Sequence, residues 1–468
     1  MSDRCAGKIF VFACALFVAV VSIWAADPDV FWHLKVGQWI VAHHQIPAVD
    51  VYSWSQLGQP WMAHQWAWEA LSWLVYQTWK LPGLWLMTAL AGGAAGCLVA
   101  AGLDRRYGET TLAYLAGGLS VLYLLVWLKP WPQAGVYAFF GFYLWLSLAG
   151  YQRRNAWILT GAAAAVWANV HSNVVLFPLL LLAECAFAVI ARREIDRRKL
   201  ALALAAFLGS LLNPRGIGLW VYAVREGLLT GIYRHQIQEW MPYPMDNPWL
   251  LLVFISGCAV LLAAAAQNRL NRLAFWRAAL FWLLALGSRI YTPFAVLSTA
   301  VLLGSLDLRI SRIRLKPLAW IGWGVVAAMF LAQAGKNGIP LTMDQLARAN
   351  QYPAAAVDYI ERNHLTRVYN FYGWGGYLIW RGIPVFIDGR GDLYRSGGLL
   401  PDYMNFAAAP GSPGRNVLDT GAKTILIPAK PSGSLSKLND SMLKESPDWK
   451  AIYRDHTAVI YQAVERNR

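Results

Sequence analysis

Apolar runs that read as membrane spans recur along this chain, and they constrain its fold more than any other feature. They lie at roughly 9–26, 83–103, 110–128, 134–150, 156–170, 172–191, 199–213, 249–266, 273–289, 292–306 and 317–334. A helix needs roughly 20 consecutive apolar residues to cross the hydrocarbon core. Composition agrees. Of the 468 residues, 57% are hydrophobic and 14% charged, against about 45–50% and about 25% in soluble domains. A cytosolic enzyme, a disordered chain, a collagen and a disulfide scaffold are all excluded as whole-chain descriptions. The expected fold class is a membrane all-α bundle of about 11 transmembrane helices.

Basic clusters occupy every second junction. They are Arg4/Lys8, Arg105-Arg106, Arg153-Arg154, Arg192-Arg193 with Arg197-Arg198-Lys199, Arg269/Arg272 and Arg309/Arg312/Arg314/Lys316. Cationic bias over short loops sets orientation, so the N-terminus is expected in the cytoplasm and the segment after the last run outside. Of the 41 basic residues, 17 lie in these clusters, which accounts for most of the net charge of +15. No basic patch lies on a soluble segment, so nucleic acid is not an expected partner. The first run competes with a cleaved signal peptide ending at Ala26. Its length and Trp24 favour an uncleaved span. The five cysteines (Cys5, Cys14, Cys97, Cys185, Cys258) lie in or beside apolar runs and indicate neither a disulfide framework nor a zinc site.

Three polar segments are longer than connectors: 27–82, 214–248 and 335–468. The topology places all three outside. All eight histidines (33, 43, 44, 64, 171, 235, 364, 456) fall in them or at outer span ends. Chemistry is therefore expected on the outer face. The expected division is a membrane domain over 1–334, which includes the first outer loop 27–82, and an extracytoplasmic α/β domain over 335–468. No internal repeat and no inverted pair of broken spans marks a transporter.

The first outer loop opens Asp27-Pro-Asp-Val-Phe-Trp-His33. Two readings of its acidic pair stand side by side. Asp27 suits an N-cap, with Pro28 at the first helical position and Asp29 in the first turn. Two carboxylates and a histidine at the mouth of an apolar bundle also suit general-base work, because lost hydration raises a carboxyl pKa. A short amphipathic helix is expected over Phe31–Val41, then a turn segment, then a second helix from about Ala63 to Lys80. In that helix Gln65, Glu69 and Ser72 follow i, i+4, i+7 spacing and share one stripe, with His64 at its edge. Eight tryptophans (32, 39, 54, 61, 66, 68, 73, 79) crowd the loop. An aromatic belt for helices in the membrane interface explains most of them.

In the tail, the pattern predicts a helix over 353–363, strands at 367–371, 385–388 and 424–428, and a helical or extended segment at 377–381. It also predicts a helix or loop to 409, a helix over 435–446 and a closing pair near 451–453 and 458–463. Gly373-Trp-Gly-Gly376 lacks the full glycine fingerprint of a dinucleotide site. Asp388, Arg390 and Asp392 follow a predicted strand. They are placed either to bind an acceptor glycan or to tie a loop through ion pairs, and Arg390-Gly-Asp392 as an adhesion tripeptide is chance turn chemistry.

An outward Asp pair after the first span, two juxtamembrane helices and a large outer tail resemble the GT-C superfamily of integral-membrane glycosyltransferases, which use polyprenyl-phosphate-linked sugars. More closely, the chain is similar to a group of bacterial polytopic membrane proteins. The matching strings are Asp27-Pro-Asp-Val-Phe-Trp-His-Leu with Gly37 and Ile46-Pro47, His64-Gln-Trp with Glu69, and Trp167-Ala-Asn-Val-His171. They continue with Asn213-Pro-Arg-Gly216, Glu239-Trp, Arg289, Tyr372-Gly-Trp-Gly-Gly-Tyr-Leu-Ile-Trp380 and Phe386-Ile-Asp-Gly-Arg390. The resemblance runs nearly end to end. It implies that Asp27 or Asp29 serves as base or metal ligand. The pair is Asp-Pro-Asp, not the adjacent Asp-Glu of protein mannosyltransferases, and the tail lacks the Trp-Trp-Asp motif of oligosaccharyltransferases.

Nucleotide sugars stay in the cytoplasm, so an outward site calls for a lipid-phosphate donor and a glycan, lipid or protein acceptor. The expected step is displacement at the anomeric carbon at the outer face of a bacterial cytoplasmic membrane. It needs a base on the acceptor hydroxyl and cations on the departing phosphate. Asp27 or Asp29 is the candidate base. Arg289, at an outer span end, is the candidate phosphate partner by its fork geometry, with snorkelling to the interface as its alternative. His33, His64, Glu69, Asn169, His171, Arg215 and Glu239 complete the candidate substrate-binding set. For Asn169 and His171, polar packing between helices is the competing role. A divalent ion (magnesium or manganese) at Asp27, Asp29 and His33, or at His33, His64 and His171 with an Asp, is a possible cofactor. The alternatives from other classes are a transporter or flippase of lipid-linked glycans, and a non-catalytic scaffold in envelope polysaccharide assembly.

Overall fold

A computed structural model describes residues 2–22, 27–192, 195–229, 238–267, 270–308, 314–396, 398–404, 413–430, 438–444 and 446–464. Trp24, Ala26, Arg193, His235, Arg269, Arg309, Arg312 and positions 435–437 lie outside the described residues.

The helices in chain order are α1 (Asp3–Ser22), α2 (Pro28–His43), α3 (Trp66–Tyr107), α4 (Thr110–Tyr123), α5 (Pro132–Trp145), α6 (Ala156–Val170) and α7 (Leu176–Arg192). Then come α8 (Arg197–Ser210), α9 (Gly218–Leu229), α10 (Pro248–Ala265), α11 (Arg272–Gly287), α12 (Thr292–Gly304) and α13 (Leu315–Asn337). A helix falls within each of the apolar runs read from the sequence. Among the described residues, five helices are long and apolar enough to cross a membrane: Asp3–Ser22, Trp66–Tyr107, Ser172–Ala191, Pro248–Ala265 and Leu315–Lys336. Helices α4, α5 and α8 have only 14 residues each. At 1.5 Å per residue they rise about 21 Å, less than the ~30 Å hydrocarbon core.

Helix starts follow local chemistry. Asn247 caps α10 by accepting from Leu250 N at 3.1 Å, with Pro248 at the first helical position. Asn271 caps α11 in the same way through Ala274 N. Helix α3 breaks at Lys80, whose φ of 54° is left-handed. Pro82 follows, and a proline can neither donate to the preceding turn nor fit against its carbonyl.

The chain divides at that break. One compact unit is Met1–Ile23 with Pro82–Gly338, and the other is Trp24–Leu81 with Ile339–Arg468. The first outer loop therefore folds with the tail and not with the bundle, unlike the expected grouping of 27–82 with 1–334.

In the helical unit, crossings close through small residues, as in helix packing within lipid. A Cβ on Gly209 of α8 would run into the backbone of Gly161 of α6, and one on Gly141 of α5 would meet Ala95 of α3 at 2.8 Å. Leu262, Leu283, Ile321 and Leu331 point outward, an apolar surface suited to hydrocarbon and costly in water. A buried ion network ties α5, α7, α8 and α11. Glu184 accepts from Tyr143 (2.8 Å), Ser147 (2.6 Å) and Lys199 (2.6 Å), with Arg277 at 3.4 Å.

The second unit carries α2, the first arm of α3, and α14 (Met343–Ala349), α15 (Ala354–Arg362) and α16 (Gly375–Trp380). A sheet of β1 (Val368–Asn370), β2 (Thr424–Pro428), β3 (Trp449–Arg454) and β4 (Ala458–Ala463) joins them. The sheet order is β1-β2-β4-β3, with β1 and β2 parallel and the other pairs antiparallel. The predicted strand at 385–388 reduces to single parallel bridges from Val385 to Val368 and to Ser53. Buried Asn370 takes the place of a ladder there. Its Oδ1 accepts from Phe386 N at 2.9 Å, and its Nδ2 donates to Ile387 O at 2.8 Å. The segment expected as helical or extended at 377–381 is the helix α16. The helix expected over 435–446 is Asp440–Leu443 within the described residues.

The loop belongs to this unit because its backbone completes the sheet edge. Trp54 N donates to Val385 O (2.9 Å), Val385 N to Tyr52 O (3.2 Å), and Trp54 Nε1 to Val368 O (3.1 Å).

Candidate functional site

The site is built up from the start of α2. Asp27 is its N-cap, accepting from Asp29 N at 3.0 Å, with Pro28 at the first helical position. The capping reading thus describes Asp27. Asp29, half-buried in the first turn, accepts from Trp32 Nε1 at 2.9 Å. Backbones close in on this turn. A Cβ on Gly376 would strike the carbonyl of Pro28, and a Cβ on Gly389 would strike Oδ1 of Asp29. The glycines of Gly373-Trp-Gly-Gly376 thus serve close packing: Gly375 abuts Ile387 and Asp388, and Gly376 abuts α2.

One helical turn on, His33 Nδ1 lies 3.0 Å from Glu69 Oε1, and both side chains are buried. The crossing that brings them together depends on Gly37, where a Cβ would collide with the Glu69 carbonyl. Burial holds the Glu69 carboxyl well above the usual carboxylate range, with Arg390 pulling it down and Asp392 pushing it up. His64 is lowered by enclosure, against the pull of Asp392. The predicted stripe is present but buried, not solvated. Gln65 Oε1, Glu69 Oε2 and Ser72 Oγ each lack a hydrogen-bond partner among the described residues.

Tyr352 approaches the acidic pair from the tail. Burial raises its phenol, and the charges of Asp27 and Asp29 add to the shift. Its ring packs with Phe31 and Tyr377 at 5.0 and 5.6 Å between centroids.

Asp388 and Arg390 do not face outward. Both side chains are 0% exposed. Arg390 donates to Asp388 Oδ1 (2.9 Å) and Oδ2 (2.7 Å) and to Asp50 Oδ1 (2.6 Å), and Tyr394 donates to Asp388. Its guanidinium lies over Trp61 and Tyr52 at 4.9 and 5.2 Å. Of the two roles open to Asp388 and Arg390, this geometry is that of loop-tying. Trp32, Trp61 and Trp68 are only 6–7% exposed, whereas Trp79 is 62% exposed. Those three are buried and do not form the expected interfacial belt; the Arg390 guanidinium covers the Trp61 ring, and His33 and Trp61 pack against Trp32.

The remaining candidates lie in the helical unit. Arg289 begins a short 3-10 turn after α11, and its N–H donates to Met241 O at 3.0 Å. Glu239, in the turn that packs against it, acts on its guanidinium electrostatically. Asn169 donates from Nδ2 to Leu212 O at 2.8 Å, tying the end of α6 to the end of α8. His171 accepts at Nδ1 from Asn173 N at 3.1 Å. Arg215 is exposed in a turn that Asn213 holds by accepting its N–H at 2.8 Å. The structure thus brings together Asp27 with Asp29, His33 with Glu69, Arg289 with Glu239, and Asp388 with Arg390. Among the described residues, no group of three His, Cys, Asp or Glu side chains is arranged to hold a metal ion. The roles of Asp50, Tyr352 and Gly389 are not legible in the sequence, for no short spacing links them to Arg390, the acidic pair and Asp29, and Trp32, three residues after Asp29, reads there only as one of the loop tryptophans.

Comparison with solved structures shows the fold. The chain is similar to the Archaeoglobus fulgidus oligosaccharyltransferase tethered with an acceptor peptide containing the NVT sequon. The TM-score is 0.61 at 12% identity, covering 90% of this chain and 68% of that one. It is similar to the same organism's AglB in complex with an inhibitory peptide and a dolichol-phosphate, with a TM-score of 0.56, 11% identity and coverage of 90% and 69%. It is also similar to ArnT from Cupriavidus metallidurans bound to undecaprenyl phosphate, with a TM-score of 0.53, 14% identity and 97% of both chains covered. The chain shares the fold of these proteins, a GT-C-like fold. No family model and no curated protein matches its sequence.

Proposed function

We propose that this protein is a membrane glycosyltransferase that moves a sugar from a polyprenyl-phosphate carrier to a glycan, lipid or protein acceptor at the outer face of the cytoplasmic membrane. The observation that carries the reading is Asp29 in a GT-C-folded chain. Its carboxylate is partly open, oriented by an indole N–H, and set in the loop where an outward acidic residue is expected. Asp27 is buried and caps α2, whereas Asp29 is half-buried, so Asp29 is assigned as base.

Asp29 takes the proton of an acceptor hydroxyl as that oxygen attacks the anomeric carbon. The bond from anomeric carbon to phosphate oxygen breaks, and polyprenyl phosphate departs with both electrons. The departing phosphate needs a cationic partner. His33 and Glu69 form a buried pair behind the first turn of α2.

The test uses purified full-length protein, a panel of undecaprenyl-phosphate-linked hexoses and pentoses, and a membrane extract as acceptor. New glycosidic bonds that disappear in Asp29→Asn support the reading. Translocation of the lipid-linked sugar without a new bond would replace it with the flippase reading.

A further inference from the structure

We propose that Trp32 and Gly389 are positioning residues that clamp the Asp29 carboxylate in a single orientation. The inference rests on the base assignment above and names what holds that base in place.

Three observations carry it. First, Trp32 lies one helical turn after Asp29, and its Nε1 donates to Asp29 Oδ1 at 2.9 Å. The donor is itself fixed. Trp32 is 7% exposed, its ring packs against His33 at 3.6 Å between centroids with a 35° tilt, and it meets Trp61 edge-on at 6.3 Å. Second, the backbone of Gly389 closes the other side of the same oxygen. A Cβ there would overlap Asp29 Oδ1 and would stand 3.0 Å from both Asp29 Cγ and Trp32 Nε1. A single methyl group would therefore sit in the hydrogen bond that orients the carboxylate.

Third, Gly389 cannot retreat to make room. Its neighbours Asp388 and Arg390 are locked to each other, to Tyr394 and to Asp50 in a fully buried network. Asp50 comes from the same first outer loop as Asp29. Segments of the loop and the tail thus brace one carboxylate from two sides, and the tail's contribution to the site is a backbone contact.

Tryptophan suits this task for a physical reason. Indole donates and cannot accept, so its bond selects one carboxylate oxygen and fixes the orientation of the group. Phenylalanine keeps most of the packing and removes only the donor.

The test reads the clamp directly. Full-length protein labelled with 5-fluorotryptophan is followed by fluorine NMR in detergent, and the Trp32 resonance is identified by its loss in Trp32→Phe. In Gly389→Ala and in Asp29→Ala the Trp32 resonance is expected to move. The double variant is expected to move it no further than Asp29→Ala alone, because both changes break one bond. A Trp32 resonance that stays put in Gly389→Ala, or shifts that add in the double variant, would overturn the proposal. Loss of dispersion across all tryptophan resonances identifies a misfolded variant, and Asp29→Ala alone then carries the test, a Trp32 resonance unmoved by it overturning the proposal.

A second arm reads function, using whichever lipid-linked sugar of the panel the unaltered protein transfers. Trp32→Phe is expected to lower kcat by about 10-fold or more with KM within about 3-fold, since a base out of line slows the chemical step and leaves ground-state binding. Unchanged kcat in a folded Trp32→Phe overturns the positioning role. If Asp29→Asn itself transfers at full rate, the base assignment fails, and the NMR arm still decides whether the clamp exists.

Discussion

Arg390 reaches across 340 residues of sequence to place its guanidinium 2.6 Å from the carboxylate of Asp50, with neither side chain touching solvent. This pair fastens the first outer loop to the tail, and Asp388 completes it from two residues away. Two carboxylates balanced by one guanidinium stay buried only while that cation remains. Arg390→Met should therefore cost about 3–5 kcal/mol. Chemical denaturation of the detergent-solubilised protein checks this. Arg390→Lys should recover part of the loss, since an ammonium cannot span both Asp388 oxygens and Asp50.

Asp27 offers a clean separation of capping from chemistry. Asparagine caps about as well as aspartate, and alanine costs about 1 kcal/mol. Asp27→Asn should keep both melting temperature and transfer rate, whereas Asp27→Ala should lower the melting temperature. A large loss of transfer in Asp27→Asn would move the base assignment from Asp29 to Asp27.

Glu69 should make the protein less stable as pH rises. Its folded carboxyl sits well above the ordinary range because burial disfavours the charge. A raised folded value gives stability that is complete below the ordinary carboxylate pKa and is lost as pH climbs toward the folded one. The slope is at most about 1.4 kcal/mol per pH unit. Glu69→Gln keeps the neutral shape and should flatten the decline between pH 5 and pH 8 in a melting series. Identical slopes would show that Glu69 is ionised in the fold.

Asp440 should behave in the opposite sense. Hydrogen bonds from Arg454 at 2.7 and 3.0 Å draw its carboxyl down to about 2, with Tyr461 and Lys444 adding to the pull. A depressed folded value gives stability present above the ordinary carboxylate pKa and lost as pH falls toward 2. Asp440→Asn should cost about 2 kcal/mol at neutral pH, and the difference from the unaltered protein should vanish near pH 2.

The sequence was most readable where structure depends on near neighbours. The apolar runs each hold a helix, and Asp27-Pro28 announces the start of α2. The paired β3 and β4 follow from alternating apolar residues and a tight turn. The stripe of Gln65, Glu69 and Ser72 was visible as spacing, yet its burial was not, because spacing reports a shared face and says nothing of what covers it. The partners of Asp29 escaped notice for a related reason. Trp32 is close in sequence but looked like one member of an interfacial belt, while Gly389 acts through the side chain it lacks. The same holds for Asn370, whose amide takes the place of a β-ladder at 386–387. Grouping the first outer loop with the bundle followed chain order, whereas its hydrogen bonds run to Val368, Val385 and Phe386.

If Asp29 is the base of an outward-facing sugar transfer, removing its charge must slow the transfer itself. The initial rate of glycosidic bond formation is compared for the unaltered protein and Asp29→Asn, with an undecaprenyl-phosphate-linked sugar as donor and a membrane extract as acceptor. A fall of about 10²- to 10⁴-fold in kcat is expected, with the fold intact by melting temperature. A folded Asp29→Asn that transfers sugar at the unaltered rate would contradict it.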